Sequence, residues 1–350
     1  MELPSVWMLK RVALLKGDGV GPELLEAAQV VLDALKPEID FVRCDAGYEW
    51  WQVHGGDSFI PDETWEKLKN SDACLKAPMT TPSVSGAPKS VVVSIRQKFD
   101  LYANIRPIKT FRGYEGPLGK VDFVCVRETT EGLYSGIEHR IGDDAAIAVR
   151  KITRRQSEKV ARKAFEVAYD RGWKKVVVVT KRNIMRECDG IFIESVEKAS
   201  KGFPNISYEE YYIDNLAQQL VKNPQRFDQN VILGTNLFMD IISEEASGLV
   251  GSIGCIYSGN FGDRYALFEP AHGSAPKYRG LNKVNPTAMI LSAGWMLDYL
   301  GDRKSSQAVF AATEEVIAER EHVTYDLGGS ATTMEMAKAI ADRIKKLAGR

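Results

Sequence analysis

The rest of this chain is arranged around the stretch Asn236-Leu-Phe-Met-Asp-Ile-Ile-Ser-Glu-Glu-Ala-Ser-Gly-Leu-Val250. Its apolar residues recur at helical spacing, which predicts a helix with one buried face. Asp240 and Glu244 are four residues apart, so a helix places both on one side, one turn from each other. Paired carboxylates suit a hard cation such as Mg²⁺ or Mn²⁺, although a solvated acidic face is the commoner explanation. The residues of the predicted buried face are Leu237, Phe238, Ile241, Ile242, Ala246 and Leu249.

The composition is ordinary for a globular protein and excludes several classes of partner. Apolar residues make up 44% of the 350 residues and charged residues 27%, with a net charge of −1. No basic stripe stands out, so we expect no nucleic-acid partner. No apolar run approaches the ~18 residues of a membrane span, and the first ten residues lack the order of a signal peptide. We therefore expect a cytoplasmic protein without a membrane partner.

Cysteine and histidine usage argues against a disulfide framework and against zinc. The five cysteines and four histidines are scattered, and no Cys-x-x-Cys pair occurs. An odd number of widely spaced cysteines predicts reduced, mostly buried thiols. The spacing of the histidines likewise makes a zinc site improbable.

Strands and helices alternate along the chain, which predicts the α/β class with a largely parallel sheet. A strand at residues 11–16 leads through the glycine-rich turn at 17–23 into a helix that starts near a proline. This turn lacks the Gly-x-Gly-x-x-Gly fingerprint, so by itself it indicates only a strand-to-helix connection. Threonines at residues 78–82 follow another strand, at the sheet edge where open α/β sheets bind ligands. No linker is found, so any domain boundary lies inside folded sequence.

Three arginines stand at the ends of predicted apolar elements, namely Arg96, Arg106 and Arg127. Single arginines are usually surface charges. Three in such positions also fit a site for an anion, because a guanidinium group can bind a carboxylate through two parallel hydrogen bonds.

Two further charged residues, Lys181 and Asp214, lie at the end of a predicted strand and at the start of a predicted helix. Lys181 comes directly after a β-branched strand, where a lysine is normally an interface residue or, if buried at a ligand-facing edge, a proton carrier with a lowered pKa. Asp214 stands at the entry of a helix, where a lone acid is normally an N-cap. Residues 133–139 and 145–153 resemble the two arms of an exposed hairpin.

Several ordered motifs resemble those of the isocitrate and isopropylmalate dehydrogenase family, whose members oxidise and decarboxylate 2-hydroxy acids with a metal ion. Each motif alone is modest evidence, whereas all of them in order are specific. They cover nearly the whole chain: Gly-Asp-Gly-Val-Gly-Pro-Glu at 17–23, Leu-Tyr-Ala-Asn-Ile-Arg-Pro at 101–107, Arg-Glu-Thr-Thr-Glu-Gly-Leu-Tyr at 127–134, residues 237–247, residues 269–286 and Asp-Leu-Gly-Gly at 326–329.

The resemblance implies a doubly wound α/β fold of two interleaved domains, unlike the typical Rossmann fold. Residues 1–101 with 254–350 would form a large cofactor-binding domain, and 102–253 a small one. It also implies a homodimer in which a clasp-like hairpin at about 138–153 interlocks. Each active site would then include residues of the partner subunit.

The same resemblance implies a metal site shared between two subunits. Asp240 and Glu244 of one subunit and Asp214 of the other would bind Mg²⁺ or Mn²⁺. The family usually has aspartate at the position of Glu244, so we expect an altered metal preference rather than loss of the metal.

The substrate and catalytic residues follow from the matching motifs. Arg96, Arg106 and Arg127 would hold the carboxylates of the substrate. Lys181 would take up the proton of the 2-hydroxyl group as hydride leaves for the nicotinamide. Tyr134 would then protonate the carbon of the enolate formed by decarboxylation.

Residues 272–285 resemble the cofactor loop of the family. NAD-using members typically have aspartate and isoleucine where this chain has Lys277 and Tyr278, which suit the 2′-phosphate of NADP. Gly329 replaces an arginine of bacterial NADP-dependent relatives. We therefore expect NADP, with NAD possible. The expected cofactor contacts are Thr80, Asn183, His272, Gly273, Ser274, Ala275, Lys277, Tyr278, Val284, Asn285, Tyr325 and Asp326.

The substrate prediction depends on the helix that carries Arg96. Isocitrate enzymes have serine at the position of Ser90 and asparagine at that of Val92, and this chain has only the serine. A tricarboxylate, isocitrate, is favoured, while the valines around Val92 leave isopropylmalate, an alkylmalate, and then homoisocitrate as alternatives. A non-catalytic regulatory subunit is a further alternative, although such subunits tend to lose the catalytic residues kept here.

Overall fold

The computed structural model describes residues 9–84 and 86–348, without the side chain of residue 348. The chain forms two compact units. The first combines the N-terminal part of the chain, up to Val91, with the C-terminal part from Tyr265 onward, and the second consists of Val92–Arg264. The predicted interleaving is therefore present, while the finer domain limits after residues 101 and 253 stay a prediction. The prediction that the first ten residues lack the order of a signal peptide falls mostly on residues 1–8, which lie outside the described residues.

The first unit contains a four-stranded parallel sheet in the order β2-β1-β3-β12. Helix α9 is buried over most of its length because it is apolar on all sides, and it packs against α1, α10 and β12. The elements are β1 (Lys10–Leu15), α1 (Gly21–Leu35), β2 (Ile39–Cys44), α2 (Tyr48–His54), α3 (Asp62–Lys69), β3 (Ala73–Lys76), β12 (Ala266–Pro270), α9 (Thr287–Tyr299), α10 (Arg303–Glu319) and α11 (Thr333–Ala348).

The second unit contains strands in the order β11-β4-β5-β10-β8-β9. The elements are α4 (Val91–Lys98), β4 (Ala103–Lys109), β5 (Asp122–Glu128), β6 (Glu138–Ile141), β7 (Ala145–Ala148), α5 (Arg154–Asp170), β8 (Lys175–Thr180), α6 (Arg186–Ser200), β9 (Ser207–Tyr212), α7 (Ile213–Lys222), β10 (Asn230–Gly234), α8 (Asn236–Val250) and β11 (Tyr257–Phe261).

The prediction of a largely parallel sheet needs a correction in this second unit. Strands β5, β10, β8 and β9 are parallel, but β4 is antiparallel to both β5 and β11. Residues 110–121 return the chain through two short turns without a helix, which is possible only between antiparallel neighbours.

The buried face of α8 is also not quite the predicted one. Ile241 is 56% exposed, while Met239, Ser243 and Ser247 are buried. The hydroxyl of Ser243 accepts a hydrogen bond at 3.0 Å from a buried arginine, so a polar residue occupies a place that an apolar pattern does not reveal. The polar contacts of α8 therefore decide, together with its apolar residues, which face of the helix is buried.

Other sequence predictions fare better, and one helix was missed. Strands β6 and β7 form the expected antiparallel hairpin, and all of their residues are exposed. All five cysteines are free thiols, four of them buried. Among the described residues, no helix combines the length and apolar character needed to cross a membrane. Helix α2 escaped prediction because none of its residues is buried, which removes the apolar period.

Candidate active site

Two buried arginines on neighbouring strands meet the acids of α8. Arg106 and Arg127 are only 5% and 3% exposed, so each guanidinium group needs acceptors in place of water. The Nη1 atom of Arg106 donates to Glu244 Oε1 at 2.8 Å. Arg127 donates through Nη1 to Asp240 and through Nε to the carbonyl oxygen of Asn236 at 2.9 Å. The strands β4 and β5 thus present two fixed cations to one side of the helix.

Arg96 is joined to this pair through two asparagines. Its Nε atom donates to Asn260 Oδ1 at 2.8 Å, and Asn104 Nδ2 donates to the same oxygen at 3.0 Å. Asn104 Oδ1 in turn accepts from Arg106 Nε at 2.8 Å. Because both asparagines are fully buried, they set the positions of the arginines relative to each other. We call Arg96, Arg106 and Arg127 the arginine cluster.

Tyr134 reaches the same cluster from a short 3₁₀ turn. Its hydroxyl donates to Asp240 Oδ2 at 2.5 Å, and the Arg127 guanidinium lies 4.9 Å from its ring centroid. Burial raises the pKa of Tyr134, and the hydrogen bond to Asp240 raises it further, against the opposing effect of Arg127. The phenol therefore keeps its proton at neutral pH and can donate it.

The donor set on α8 fits a hard cation. Asp240 and Glu244 offer carboxylate oxygens from consecutive turns, with 33% and 43% of their side chains exposed. Both carboxylates are held by arginines, so their oxygens have fixed directions. Within residues 9–84 and 86–348 of one chain, no three side chains of His, Cys, Asp or Glu come together as a metal site. The predicted contribution of a second subunit remains a prediction.

Lys181 and Asp214 form a separate pair. Lys181 follows β8, and its Nζ atom lies 2.8 Å from Asp214 Oδ1. A lone acid at this place was expected to be the N-cap of α7, and this expectation was wrong. Tyr212 is the N-cap, and Asp214 lies in the first turn of the helix. The hydrogen bond from Lys181 lowers the pKa of Asp214. The structure therefore pairs these two residues with each other rather than with the arginine cluster.

The first unit gathers several predicted cofactor residues. Thr80 Oγ1 and Ser274 Oγ lie 2.6 Å apart, and Ser274 O accepts from Val20 N at 2.9 Å. Asn285 Nδ2 donates to Asp326 Oδ2 at 2.9 Å. The loop that carries Ser274 therefore contacts both the glycine-rich turn and the threonine loop.

The remaining predicted cofactor and substrate residues differ in exposure. Ala275 adopts a left-handed φ of 37°, and Val284 is half-buried. Gly273 and Lys277 are exposed. Ser90 is half-buried directly before α4, while Asn183 is exposed in the second unit.

His272 presents a buried ring nitrogen to this loop. Its Nε2 atom has no hydrogen-bond partner among the described residues, and Nδ1 lies 3.0 Å from the carbonyl oxygen of Gly273. Burial lowers the pKa of His272. The imidazole is therefore neutral at neutral pH, and its Nε2 atom is buried without a hydrogen-bond partner among the described residues.

Two tyrosines and two lysines form the outer part of this site. The rings of Tyr278 and Tyr325 stack with their centroids 6.5 Å apart. Lys277 Nζ lies 5.1 Å from the ring of Tyr278, and Lys283 Nζ lies 4.7 Å from the ring of Tyr325. Sequence reasoning did not select Lys283, because only the fold shows that it flanks the second tyrosine.

The two asparagines that connect the arginine cluster were also missed. Asn104 lies within a quoted motif, which was a usable signal, since a polar residue in a buried strand requires a partner. Asn260 stands in β11, more than 150 positions away, so no local pattern links it to Asn104.

Comparisons with known proteins identify the family. The family described as isocitrate/isopropylmalate dehydrogenase matches residues 11–340. An isocitrate/homoisocitrate dehydrogenase of Thermus thermophilus is 42% identical, with 97% of this chain and 100% of that protein covered. A 3-isopropylmalate dehydrogenase of Archaeoglobus fulgidus is 41% identical, with 95% and 99% covered.

A solved structure shares the fold as well. The isocitrate dehydrogenase from Methylococcus capsulatus superposes with a TM-score of 0.91 at 37% identity, with 96% of this chain and 99% of that chain covered. The predicted fold class is therefore confirmed. By sequence and by fold, this chain belongs to the isocitrate/isopropylmalate dehydrogenase family.

Proposed function

We propose that this protein catalyses the metal-dependent oxidative decarboxylation of isocitrate to 2-oxoglutarate, with NADP as the electron acceptor. One observation carries the proposal: Asp240 accepts hydrogen bonds from both Arg127 and the hydroxyl of Tyr134. The residues proposed here as carboxylate grip, metal-binding acid and proton donor are thus joined by direct hydrogen bonds.

The residues of this chain divide the reaction between them. The arginine cluster would bind the carboxylates of the substrate, which fixes the 2-hydroxyl group near α8. A divalent cation on Asp240 and Glu244 would act as a Lewis acid toward that hydroxyl group. Lys181 would accept the hydroxyl proton, and Tyr134, with its raised pKa, would protonate the enolate carbon after CO₂ leaves.

We further propose that the working form is a homodimer with shared active sites. The hairpin β6–β7 exposes Ile141 and Ile147 by 56% and 47%. An isolated two-stranded hairpin is marginally stable in water, so a second copy packing on it would stabilise it. Such a dimer would let Lys181 and Asp214 of one subunit serve the arginine cluster of the other.

The choice of substrate rests on the start of α4. Ser90 favours isocitrate, as in the family, and its half-buried side chain can reach a ligand. Val91 is 2% exposed and so belongs to the core, whereas Val92 and Val93 are only half-buried. Isopropylmalate and homoisocitrate remain the second candidates, because the relatives with about the same identity carry those names.

The choice of cofactor rests on the stacked tyrosines. Lys277 and Lys283 place two ammonium groups beside Tyr278 and Tyr325, an arrangement that favours a dianionic phosphate over a bare ribose. Lys283 would supply the second cation that Gly329 does not. NAD is the alternative acceptor.

The test is an absorbance assay of the protein purified alone, in Mn²⁺ or Mg²⁺. Each of isocitrate, isopropylmalate and homoisocitrate is offered with NADP or NAD, and kcat/KM is compared. We expect the highest value for isocitrate with NADP. A higher value for another acid or for NAD would replace that part of the proposal, and no reduction with any pair would support a regulatory subunit instead.

A further inference from the structure

A fully buried carboxylate touches the backbone of Lys181. Asp189, on α6, has no exposed surface, and its Oδ2 atom accepts the Lys181 N–H at 2.6 Å. Its Oδ1 atom accepts from Arg150 Nη2 at 2.8 Å. Burying a carboxylate is costly unless it is paired, and a packed apolar residue would often serve stability equally well. The pair therefore calls for a role beyond stability.

Arg150 continues the contact from Asp189 to the start of α8. The same Nη2 atom donates to Thr235 Oγ1 at 2.9 Å, and the guanidinium lies 5.2 Å from the ring centroid of Phe238. Thr235, only 2% exposed, immediately precedes α8, and its carbonyl oxygen accepts the N–H of Met239 at 3.0 Å. A continuous set of hydrogen bonds thus joins the backbone of Lys181 to the helix that carries Asp240 and Glu244.

We propose that Asp189 and Arg150 are positioning residues that fix the backbone of Lys181, and with it the direction in which the lysine side chain reaches toward the active site that it serves. This inference rests on the proposed function of Lys181 as the proton acceptor. The ammonium group at the end of this long side chain contacts the exposed carboxylate of Asp214 and the ring of Tyr212, whose centroid is 5.7 Å away, so the direction of the lysine backbone decides where that group can reach. A misplacement of about 1 Å in a reacting group can cost about 10²-fold in rate.

Arg150 also joins this network to the hairpin. It stands two residues after the end of β7, and its carbonyl oxygen lies 3.7 Å from the thiol of Cys188, the neighbour of Asp189. The side chain of Arg150, at the base of the hairpin, therefore contacts both Asp189, which holds the Lys181 N–H, and Thr235, which precedes α8. A change at Arg150 would loosen both contacts together.

The kinetic test uses Asp189→Ala and Arg150→Met, with the milder Asp189→Asn and Arg150→Lys in case the first two fold poorly. We expect kcat to fall about 10²-fold for Asp189→Ala while KM for the cofactor stays unchanged. Asp189→Asn keeps an acceptor for the Lys181 N–H and should lose less. Arg154→Met is the matched control, because Arg154 makes an exposed ion pair with Glu194 in the same unit. That control should keep wild-type kcat.

A double-mutant cycle separates positioning from general destabilisation. Once Lys181→Met has removed the ammonium group, a residue that acts only through Lys181 has nothing left to position. We therefore expect Asp189→Ala to add less than about a twofold loss in the Lys181→Met background. A further loss close to 10²-fold would overturn the inference, since the two residues would then act independently.

Amide hydrogen exchange provides a readout that does not require turnover. Asp189→Ala should accelerate exchange of the Lys181 N–H far more than exchange in the core strands, because only the former loses its acceptor. Unchanged exchange at Lys181 would overturn the inference. A wild-type protein that turns over none of the three acids would refute the proposed function, while the exchange result would still decide whether Asp189 holds this backbone.

Discussion

The arginine cluster and the Lys181–Asp214 pair contain the same kinds of ion pair in very different surroundings. Arg106 and Arg127 are nearly fully buried and each makes two or more hydrogen bonds. The Lys181 ammonium group makes one ion pair, to an aspartate whose side chain is 67% exposed. The proposed carboxylate grip is thus held by several contacts within one chain. The proposed proton acceptor, Lys181, is held by its backbone, by one exposed ion pair and by the ring of Tyr212.

The largest effect is expected from replacing a buried arginine of the arginine cluster. Arg127→Met should lower the free energy of unfolding by about 2 kcal/mol, between the costs of breaking a buried and an exposed ion pair, because Arg127 is buried while Asp240 is one third exposed. It should also reduce kcat/KM strongly through loss of a carboxylate contact. Urea unfolding and steady-state kinetics measure the two effects. A variant as stable as the wild type would show that the cluster does not depend on this pair.

A loss of turnover without a loss of stability is expected from the two residues proposed to transfer protons. Tyr134→Phe and Lys181→Met should each cut kcat about 10²-fold or more, because each removes a group that moves a proton. The fold should be little changed, since phenylalanine keeps the ring and Lys181 is partly solvated. Near-normal kcat in either purified variant would remove that residue from its role.

The raised pKa of Tyr134 adds a pH dependence to this prediction. The ordinary value is 10.0, and burial raises it, so the proton that Tyr134 donates is present throughout the neutral range. Because the pKa of Tyr134 is higher in the folded than in the unfolded protein, the stability that its proton contributes is fully present at pH values below the unfolded pKa. That stability is lost as the pH rises through the folded pKa. The wild type should therefore show no alkaline loss of kcat from Tyr134 below about pH 10. An earlier loss that disappears when Tyr134 is replaced, with the residual rate measured, would contradict this.

A smaller effect, on metal preference, is expected at Glu244, one of the two carboxylates proposed to bind the metal. Glu244→Asp restores the residue usual in the family and shortens the side chain that Arg106 holds at 2.8 Å. We expect the ratio of activity with Mn²⁺ to activity with Mg²⁺ to shift by several-fold, because the two ions differ in the geometry they accept. Glu245→Asp, at the neighbouring half-buried position, is the control. An unchanged ratio would mean that position 244 does not affect the metal.

The sequence predicts the buried region better than the exposed one, for physical reasons. The strand pattern and the ordered motifs select Arg106, Arg127 and Asp240, which the structure brings together. Arg127 lies near the end of β5 as predicted, but the prediction for Arg106 was wrong, because it lies in the middle of β4. The link through Asn104 and Asn260 joins strands far apart in the chain, so no local pattern contains it. Ile241 was wrongly expected to be buried, since an exposed apolar residue at helical spacing from other apolar residues fits the same period in the sequence.

The smallest effect tests the exposed pair. Asp214 has a pKa lowered below 3.8 by the hydrogen bond from Lys181, so the stability it contributes is present above that pH and is lost as the pH falls through the lowered value. Because the pair is exposed and screened by salt, Asp214→Asn should leave the urea midpoint nearly unchanged between about pH 5 and 8, at low or high salt. Turnover should still fall, because the carboxylate is proposed to bind the metal from the partner subunit. A destabilisation as large as that of Arg127→Met would erase the difference between the two regions.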